Sequence, residues 1–488
     1  MTLSSILVFA AAGLLFRLVA RPKVPVVIRS ERFRGGLLLI ASVLAIYWLQ
    51  PLSPIRNLDF WLPTATLVLV VFSWWISAPQ DKRSWRQNAG TLGVLFGLVL
   101  AIGLTRFLGL EPFITASLPP PLGQIALAML VLALLGLLLT KLPGRHLWPK
   151  DTFLPGLAIF VLIGLFVLLK LPSLTALAAA GLRALMGQST DLAKASDLSW
   201  LGFSYVAFRL IHTLRDRQTG RLPAVSLQEY LIYAIFFPSF TAGPIDRLDR
   251  FIKDLRQPLA PPVADFTAAG TRLALGLFKK FVLADSLALI ALNATNATQV
   301  RSAGWMWLLV YAYALQIFFD FSGYTDIAIG LGRLLGIRLP ENFNAPYLKP
   351  NLTQFWNNWH MTLTQWFRAY FFNPLTRALR SAKKPLAQPL VILITQVSTF
   401  VLIGLWHGIT PNFVLWGLWH GLGLFVQNRW SDWIKPYAAR LEGRPFLKGT
   451  ATALGTLLTF HYVALGWVWF ALPSPQLSWQ VLERLFGR

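Results

Sequence analysis

Apolar segments alternate with short polar connections along almost the whole chain. Many of these segments hold about 17–25 residues with few charges, which is enough for one helical crossing of a bilayer. The clearest predicted spans are residues 3–18, 36–49, 60–76, 91–108, 124–139, 153–169, 201–214, 389–405, 413–426 and 451–470. Together with re-entrant and interfacial helices, the pattern predicts an all-α, polytopic transmembrane helical bundle of about 11–13 spans.

Three stretches depart from the simple span pattern. The apolar run 225–240 stops before a helix-breaking Gly-Pro pair. Another run carries Lys279 and Lys280 in its middle, so we expect it to break or to lie near the membrane surface. The run 305–335 is too long for one simple crossing, and we expect it to bend near Gly323.

Two histidines lie in the apolar, tryptophan-rich sequence of the C-terminal third. Residues 352–370 place aromatic and aliphatic side chains at helical spacing, which predicts one amphipathic helix at the membrane surface with His360 on its apolar side. The span 389–405 runs into the pentapeptide Gly404-Leu405-Trp406-His407-Gly408. A histidine inside an apolar helix is costly unless it is functional or well hydrogen-bonded.

Composition supports a membrane protein. The chain has 488 residues, 55% hydrophobic and 13% charged, and soluble proteins carry roughly twice that charged fraction. Its net charge of +24 is concentrated in alternate connections, as in cytoplasmic loops beside anionic lipid. We therefore expect a multi-pass protein of the inner (plasma) membrane with an external N-terminus, partnered by membrane lipids and not by nucleic acid.

The absence of cysteine limits the chemistry. A covalent thioester on this chain is excluded, because that intermediate requires a thiol. There is no His-Glu-x-x-His motif or tight histidine pair, so no metal is expected. The imidazole of His407 is a candidate general base, since a neutral imidazole can take a proton from a hydroxyl. The alternative is a buried structural histidine hydrogen-bonded to a backbone carbonyl.

Seven motifs, in order from residue 202 to residue 408, resemble the membrane-bound O-acyltransferase (MBOAT) family. The resemblance is to the bacterial branch that includes the alginate O-acetylation and teichoic acid D-alanyl transfer proteins. The motifs are Gly202-Phe203-Ser204-Tyr205-Val206-Ala207-Phe208-Arg209, Ala242-Gly243-Pro244-Ile245-Asp246-Arg247, Gly276-Leu277-Phe278-Lys279-Lys280, Phe319-Asp320-Phe321-Ser322-Gly323-Tyr324-Thr325-Asp326, Glu341-Asn342-Phe343-Asn344-Ala345-Pro346-Tyr347, Phe355-Trp356-Asn357-Asn358-Trp359-His360-Met361-Thr362-Leu363-Thr364 and Gly404-Leu405-Trp406-His407-Gly408.

The resemblance implies roles for individual residues. His407 matches the family's essential histidine, and His360 matches one near the reaction centre. The residues expected to bind substrate are Asp320, Asn342, Trp359 and Trp406. For Asp320 a hydrogen bond to a neighbouring helix is an equal alternative. His420 lies in a second copy of the pentapeptide, and we interpret it as a packing residue.

Two departures concern the substrate. Asn357 and Asn358 stand where related sequences usually carry a basic residue, and the segment 373–377 lacks the glycine- and basic-rich loop of alginate-type members. Because of these differences, the resemblance does not indicate one particular polymer substrate. The type of reaction that it implies is unaffected.

The resulting hypothesis is a membrane-embedded O-acyltransferase. It would move an acyl group, with acetyl preferred, from a cytoplasmic thioester donor (acyl-CoA or an acyl-carrier protein) to a hydroxyl of an extracytoplasmic acceptor such as a cell-surface polysaccharide. No cofactor is expected beyond that co-substrate, and an extracytoplasmic acyltransferase partner is an option. Residues 1–175 would be helices of unassigned role, 176–475 the acyltransferase core and 476–488 a tail. The alternative is a transporter or flippase for a lipid-linked sugar, which predicts repeated halves and more intramembrane charge.

Overall fold

A computed structural model describes residues 2–19, 31–109, 114–141, 152–257, 263–439 and 443–487. Within these ranges the regular secondary structure is helical and contains no strand, which confirms the all-α prediction. The chain forms two compact units, Met1–Gly270 with Ala328–Leu339, and Thr271–Ile327 with Pro340–Arg488. The division at residue 175 that the sequence suggested concerns function, and it stays a prediction.

Ten helices of the described residues belong wholly to the first unit. They are α1 (Leu3–Val19), α2 (Glu31–Leu49), α3 (Leu58–Ser77), α4 (Trp85–Leu104), α5 (Leu122–Lys141), α6 (Phe153–Lys170), α7 (Pro172–Leu185), α8 (Phe203–Gln218), α9 (Leu227–Ala234) and α10 (Leu248–Leu255). Two further helices, α11 (Val263–Leu277) and α12 (Ala303–Leu334), supply residues to both units.

The second unit continues with helices that carry the candidate chemistry. They are α13 (Leu352–Asn358), α14 (Met361–Phe367), α15 (Asn373–Arg380), α16 (Gln388–His407), α17 (Pro411–Ala439), α18 (Pro445–Ala471) and α19 (Pro475–Leu485). The last of these lies where the sequence suggested a tail. Ser478, Val481 and Leu485 on α19 are buried, so this segment is a packed helix of the second unit.

Several helices in the described part of the chain are long and apolar enough to cross a membrane. Six meet this description: Leu58–Ser77, Arg86–Phe107, Phe153–Lys170, Ala303–Leu334, Gln388–His407 and Pro445–Ala471. Shorter apolar helices cover Leu3–Phe16, Phe33–Leu49 and Leu122–Leu138. The multi-pass character predicted from the sequence is confirmed, while the total of about 11–13 crossings stays a prediction.

The apolar run 225–240 is folded inside the first unit. Its helix α9 has eight residues, or about 12 Å, which is too short to cross a bilayer. Arg209 of α8 is fully buried and donates hydrogen bonds to the carbonyl oxygens of Ala234 (2.9 Å) and Ser239 (2.7 Å). The first of these bonds satisfies the carbonyl with which α9 ends, and the second satisfies a carbonyl of the following short helical turn, Phe237–Ser239.

Helix α12 continues without a break through Gly323, where the sequence suggested a bend. Its 32 residues extend about 48 Å. A Cβ atom at Gly323 would lie 2.9 Å from the carbonyl oxygen of Gly276 and 2.9 Å from the backbone nitrogen of Lys280. The glycine therefore permits close packing of α12 against the helix that carries Lys280.

Glycines also bring α16 and α17 together. A Cβ atom at Gly408 would lie 2.7 Å from the Phe413 ring, and one at Gly417 would lie 2.6 Å from the carbonyl oxygen of Phe400. The two copies of the pentapeptide thus both supply glycines to one helical hairpin. This packing explains the repeated sequence without requiring the same role for its two histidines.

Candidate active site

His360 lies at a break between two helices. Helix α13 ends at Asn358 and α14 begins at Met361, with His360 in the left-handed region (φ 43°, ψ 53°). The prediction of one continuous helix over 352–370 is therefore wrong. The physical reason is a contact distant in sequence: the Met361 N–H donates to the carbonyl oxygen of Asn342 (2.9 Å), so it is lost to the helix.

Asn342 holds the imidazole of His360 on one side. Its side-chain oxygen lies 3.1 Å from His360 Nδ1, 3.1 Å from the Thr362 backbone nitrogen and 2.9 Å from Thr362 Oγ1. All three residues are buried. The sequence placed Asn342 among the substrate-binding residues, and in the structure it contacts the candidate catalytic group directly.

His407 is the last residue of α16 and is half-buried. Aromatic rings surround its imidazole: Trp406 at 4.4 Å and Phe470 at 4.7 Å between ring centroids, with Phe413 and Trp416 each at 5.9 Å. The second unit thus encloses the imidazole while leaving part of it accessible, which is the arrangement that a catalytic histidine needs.

The rings of both histidines contact the ring of Trp406. The Trp406 ring is 6.1 Å from the His360 ring and 4.4 Å from that of His407. Burial, and next the charge that His407 carries when protonated, lower the pKa of His360, which lies outside the six candidate spans. The structure therefore brings together the two residues that the sequence singled out 47 positions apart.

Trp359 forms a wall beside this pair. It is almost fully buried, and its ring lies 5.2 Å from Phe343 and 5.1 Å from Trp467. On α12, the Phe321 ring meets the His360 ring edge to face at 4.7 Å. The predicted contribution of Trp359 and Trp406 to substrate binding stays a prediction, and both lie next to a candidate catalytic histidine.

Asp320 has a different environment from Asn342. Its carboxylate, about half exposed, pairs with Lys280, and its neighbour Phe321 is the residue that contacts His360. Of the two alternatives that the sequence left open for Asp320, the structure contains the interaction with a neighbouring helix. A direct contact with substrate stays a prediction.

The lysines of the interrupted run are paired with acidic side chains. Lys279 and Lys280 lie in a π-helical segment, Phe278–Ala284, which continues α11. Each has a carboxylate partner on α12: Lys279 pairs with Asp326 at 2.6 Å and Lys280 with Asp320. These pairs remove the objection to basic residues in an apolar run. This pairing could not be predicted from local sequence patterns, because it joins segments about 40 residues apart.

The remaining histidines have other surroundings. His420 is fully buried between rings, with Trp356 at 4.9 Å and Trp416 at 5.0 Å. His212 is buried in the first unit beside Tyr233, and His461 lies 2.7 Å from the Leu457 carbonyl oxygen of its own helix. His146 lies outside the described residues.

The first unit contains a cavity of its own. An apolar cavity of about 480 Å³ in the first unit lies between α3, α6 and α7, and its lining contains no titratable side chain. Across the described ranges, no group of three or more histidine or acidic side chains is arranged to hold a metal ion.

Comparison with known sequences identifies the family to which the chain belongs. Residues 157–447 match the profile of a family described as MBOAT, the membrane-bound O-acyltransferase family. That match covers more than half of the chain. The chain belongs to the MBOAT family. Its members transfer acyl groups to hydroxyls, so this protein is an O-acyltransferase, and the matched region contains Asn342, His360 and His407.

Bacterial MBOAT relatives are similar over the same region. A teichoic acid D-alanyltransferase of Bacillus subtilis is 32% identical over 278 residues, 56% of this chain and 69% of that protein. A probable alginate O-acetylase AlgI of Pseudomonas aeruginosa is 32% identical over 290 residues, 59% of this chain and 51% of that protein. A peptidoglycan O-acetyltransferase of Helicobacter pylori is 32% identical over 269 residues, 54% of this chain and 48% of that protein.

Proposed function

We propose that this MBOAT protein transfers an acetyl group from a cytoplasmic thioester donor to a hydroxyl of a cell-envelope polymer outside the membrane. The donor is an acyl-CoA or an acyl-carrier protein. The acceptor is a cell-surface polysaccharide, reached directly or through an extracytoplasmic acyltransferase partner. The protein works in the inner (plasma) membrane, where both sides are within reach of a multi-pass chain.

The names of the relatives support this substrate class. They concern teichoic acid, alginate and peptidoglycan, which are all polymers of the bacterial cell envelope. Acetyl is favoured because the alginate and peptidoglycan relatives are named for O-acetylation, whereas the teichoic acid relative is named for D-alanyl transfer.

The observation that carries the proposal is the placement of the His360 and His407 rings against one side chain, that of Trp406. In the reaction, the acceptor oxygen forms a bond to the acyl carbon as the carbon–sulfur bond of the donor breaks. The hydroxyl proton passes to an imidazole and then to the departing sulfur, so the enzyme ends in its starting state. Aromatic walls keep bulk water from competing for the acyl group.

Replacing His407 with alanine tests this proposal. Removal of a positioned acid–base group lowers the rate by about 10²–10⁴-fold. We therefore expect membranes containing His407→Ala to lose labelled acetyl transfer from a thioester while the purified protein keeps its melting temperature. His461→Ala is the matched control, because His461 is half-buried like His407 and its hydrogen bond in the described structure is to the Leu457 carbonyl oxygen of its own helix. Full transfer by His407→Ala would defeat the assignment.

A further inference from the structure

The hydrogen bonds at the side chain of Asn342 show which of its two terminal atoms is the amide oxygen. The Thr362 backbone N–H, 3.1 Å away, can only donate. The atom it meets must therefore be the amide oxygen of Asn342 and not the amide nitrogen. His360 Nδ1 lies 3.1 Å from the same oxygen, which can only accept. Nδ1 must then carry a proton.

This fixes the other ring nitrogen. A neutral imidazole has one N–H and one lone pair, so with the proton at Nδ1 the lone pair is at Nε2. Nε2 is buried, and no side chain or backbone group among the described residues forms a hydrogen bond with it. Its ring meets Phe321 at 4.7 Å and Trp406 at 6.1 Å. A buried lone pair without a partner is unusual in a protein and is available to a substrate hydroxyl.

From this geometry we infer that Asn342 is a positioning residue that holds His360 in the Nδ1-protonated tautomer, so that the lone pair of Nε2 orients the bound acceptor by accepting a hydrogen bond from it. The inference rests on the proposed acyl transfer, in which His407 stays the candidate base, and it gives His360 the separate role of orienting the acceptor.

The backbone around Asn342 supports a positioning role. Bonds tie its loop to the helix break on both sides: Met361 N to Asn342 O (2.9 Å) and Asn344 N to Asn358 O (3.1 Å). They hold His360 at φ 43°, a strained conformation for a residue with a side chain. Such strain persists only where surrounding contacts overdetermine it, and these contacts fix the direction of the imidazole.

Burial favours the neutral form of the His360 ring, and so does any positive charge on His407, the titratable group that faces it from α16, since both lower the pKa of His360. The carboxylates of α12 and of the Asn342 loop are each engaged by basic side chains: Asp320 by Lys280, Asp326 by Arg272 and Lys279, and Glu341 by Arg272. An amide at position 342 adds no charge, whereas a carboxylate there would stabilise the imidazolium.

The substitution Asn342→Asp tests the inference through the pH dependence of acetyl transfer. A carboxylate on Nδ1–H raises the pKa of His360, and opposite charges at this range shift such values by about 1–3 units. We expect the acid limb of the pH profile of kcat/KM to move to higher pH by about one unit or more. Asn351→Asp is the matched control, since it makes the same change at the N-cap of α13, where aspartate caps equally well.

An active Asn342→Asp enzyme with the wild-type pH profile would overturn the inference. Nitrogen NMR of the wild-type protein, labelled with ¹⁵N-histidine, decides it independently of folding or activity of the variant. With His360→Gln used for assignment, we expect the Nδ1–H tautomer, and an Nε2–H tautomer would refute the inference. If the wild-type protein consumed no acetyl thioester, the proposed function would be wrong. The NMR result on the tautomer of His360 would be unaffected.

Discussion

At the scale of single residues, His360 and His420 show two ways of burying an imidazole. His360 has an amide oxygen on one nitrogen, which orients the ring. His420 is enclosed by aromatic rings, and neither of its nitrogens has a hydrogen-bond partner among the described residues. Each unsatisfied polar group of this kind costs about 1–3 kcal/mol. The burial of His420 therefore costs free energy, and replacing this residue distinguishes a packing role from a catalytic role.

Replacing His420 with leucine is expected to leave the protein at least as stable as the wild type. Leucine fills most of the same volume and removes two unsatisfied polar atoms, whereas alanine leaves a cavity that costs about 2–5 kcal/mol. Thermal unfolding of the purified variants measures this difference. Acetyl transfer by His420→Leu should stay near the wild-type rate, and a stable variant without transfer would place His420 in the chemistry.

The identities of the two candidate histidines could be predicted from the sequence, but their geometry could not. Gly404–Gly408 and Gly417–Gly421, the copy that contains His420, are identical in sequence, and only the resemblance to the family preferred His407. The hydrogen bond from His360 to Asn342 joins residues 18 positions apart through a helix break. Helical periodicity describes neighbours within one helix, so it has no means of finding such a contact.

At the scale of helices, the contact between α12 and the π-helical segment after α11 decides the meaning of Asp320. Gly276 and Gly323 let the two backbones approach, and this approach brings each lysine to a carboxylate. π-Helical segments often mark functional sites because they displace side chains from the regular helical register. Here the segment aims Lys280 at Asp320.

Substitution of this ion pair separates structure from substrate binding. Asp320→Leu leaves the largely buried ammonium of Lys280 uncompensated, which we expect to cost on the order of 1 kcal/mol or more and to lower the melting temperature. The double variant Lys280→Met with Asp320→Leu should recover both stability and acetyl transfer. A double variant that melts like the wild type yet transfers nothing would make Asp320 a substrate-binding residue.

The helices themselves were largely predictable. Apolar runs of sufficient length marked the long helices, since burial in lipid demands continuous apolar surface and satisfied backbone groups. The failures occur where a distant group replaces a helical hydrogen bond. The Met361 N–H donates to the carbonyl oxygen of Asn342. Arg209 donates to the carbonyl oxygen of Ala234, with which α9 ends. Both partners lie far from the affected turn in sequence, so local patterns carry no trace of them.

At the scale of the whole molecule, the candidate chemistry lies within one compact unit. Asn342, His360, Trp406 and His407 all belong to the second unit, which Thr271–Ile327 and Pro340–Arg488 form. The family match at 157–447 also covers part of the first unit. The basic residues, with a net charge of +24, lie mostly in alternate connections, which predicts a fixed orientation in the membrane.

That orientation leads to the measurement that tests the account most directly. Sealed inside-out membrane vesicles that contain the protein and its native acceptors present the cytoplasmic face outward, where acetyl-CoA with a labelled acetyl group is added. We predict free thiol outside and alkali-labile acetyl ester inside, both lost with His407→Ala. Vesicles that move a lipid-linked sugar across the membrane while the thioester stays intact would contradict the account and indicate a transporter.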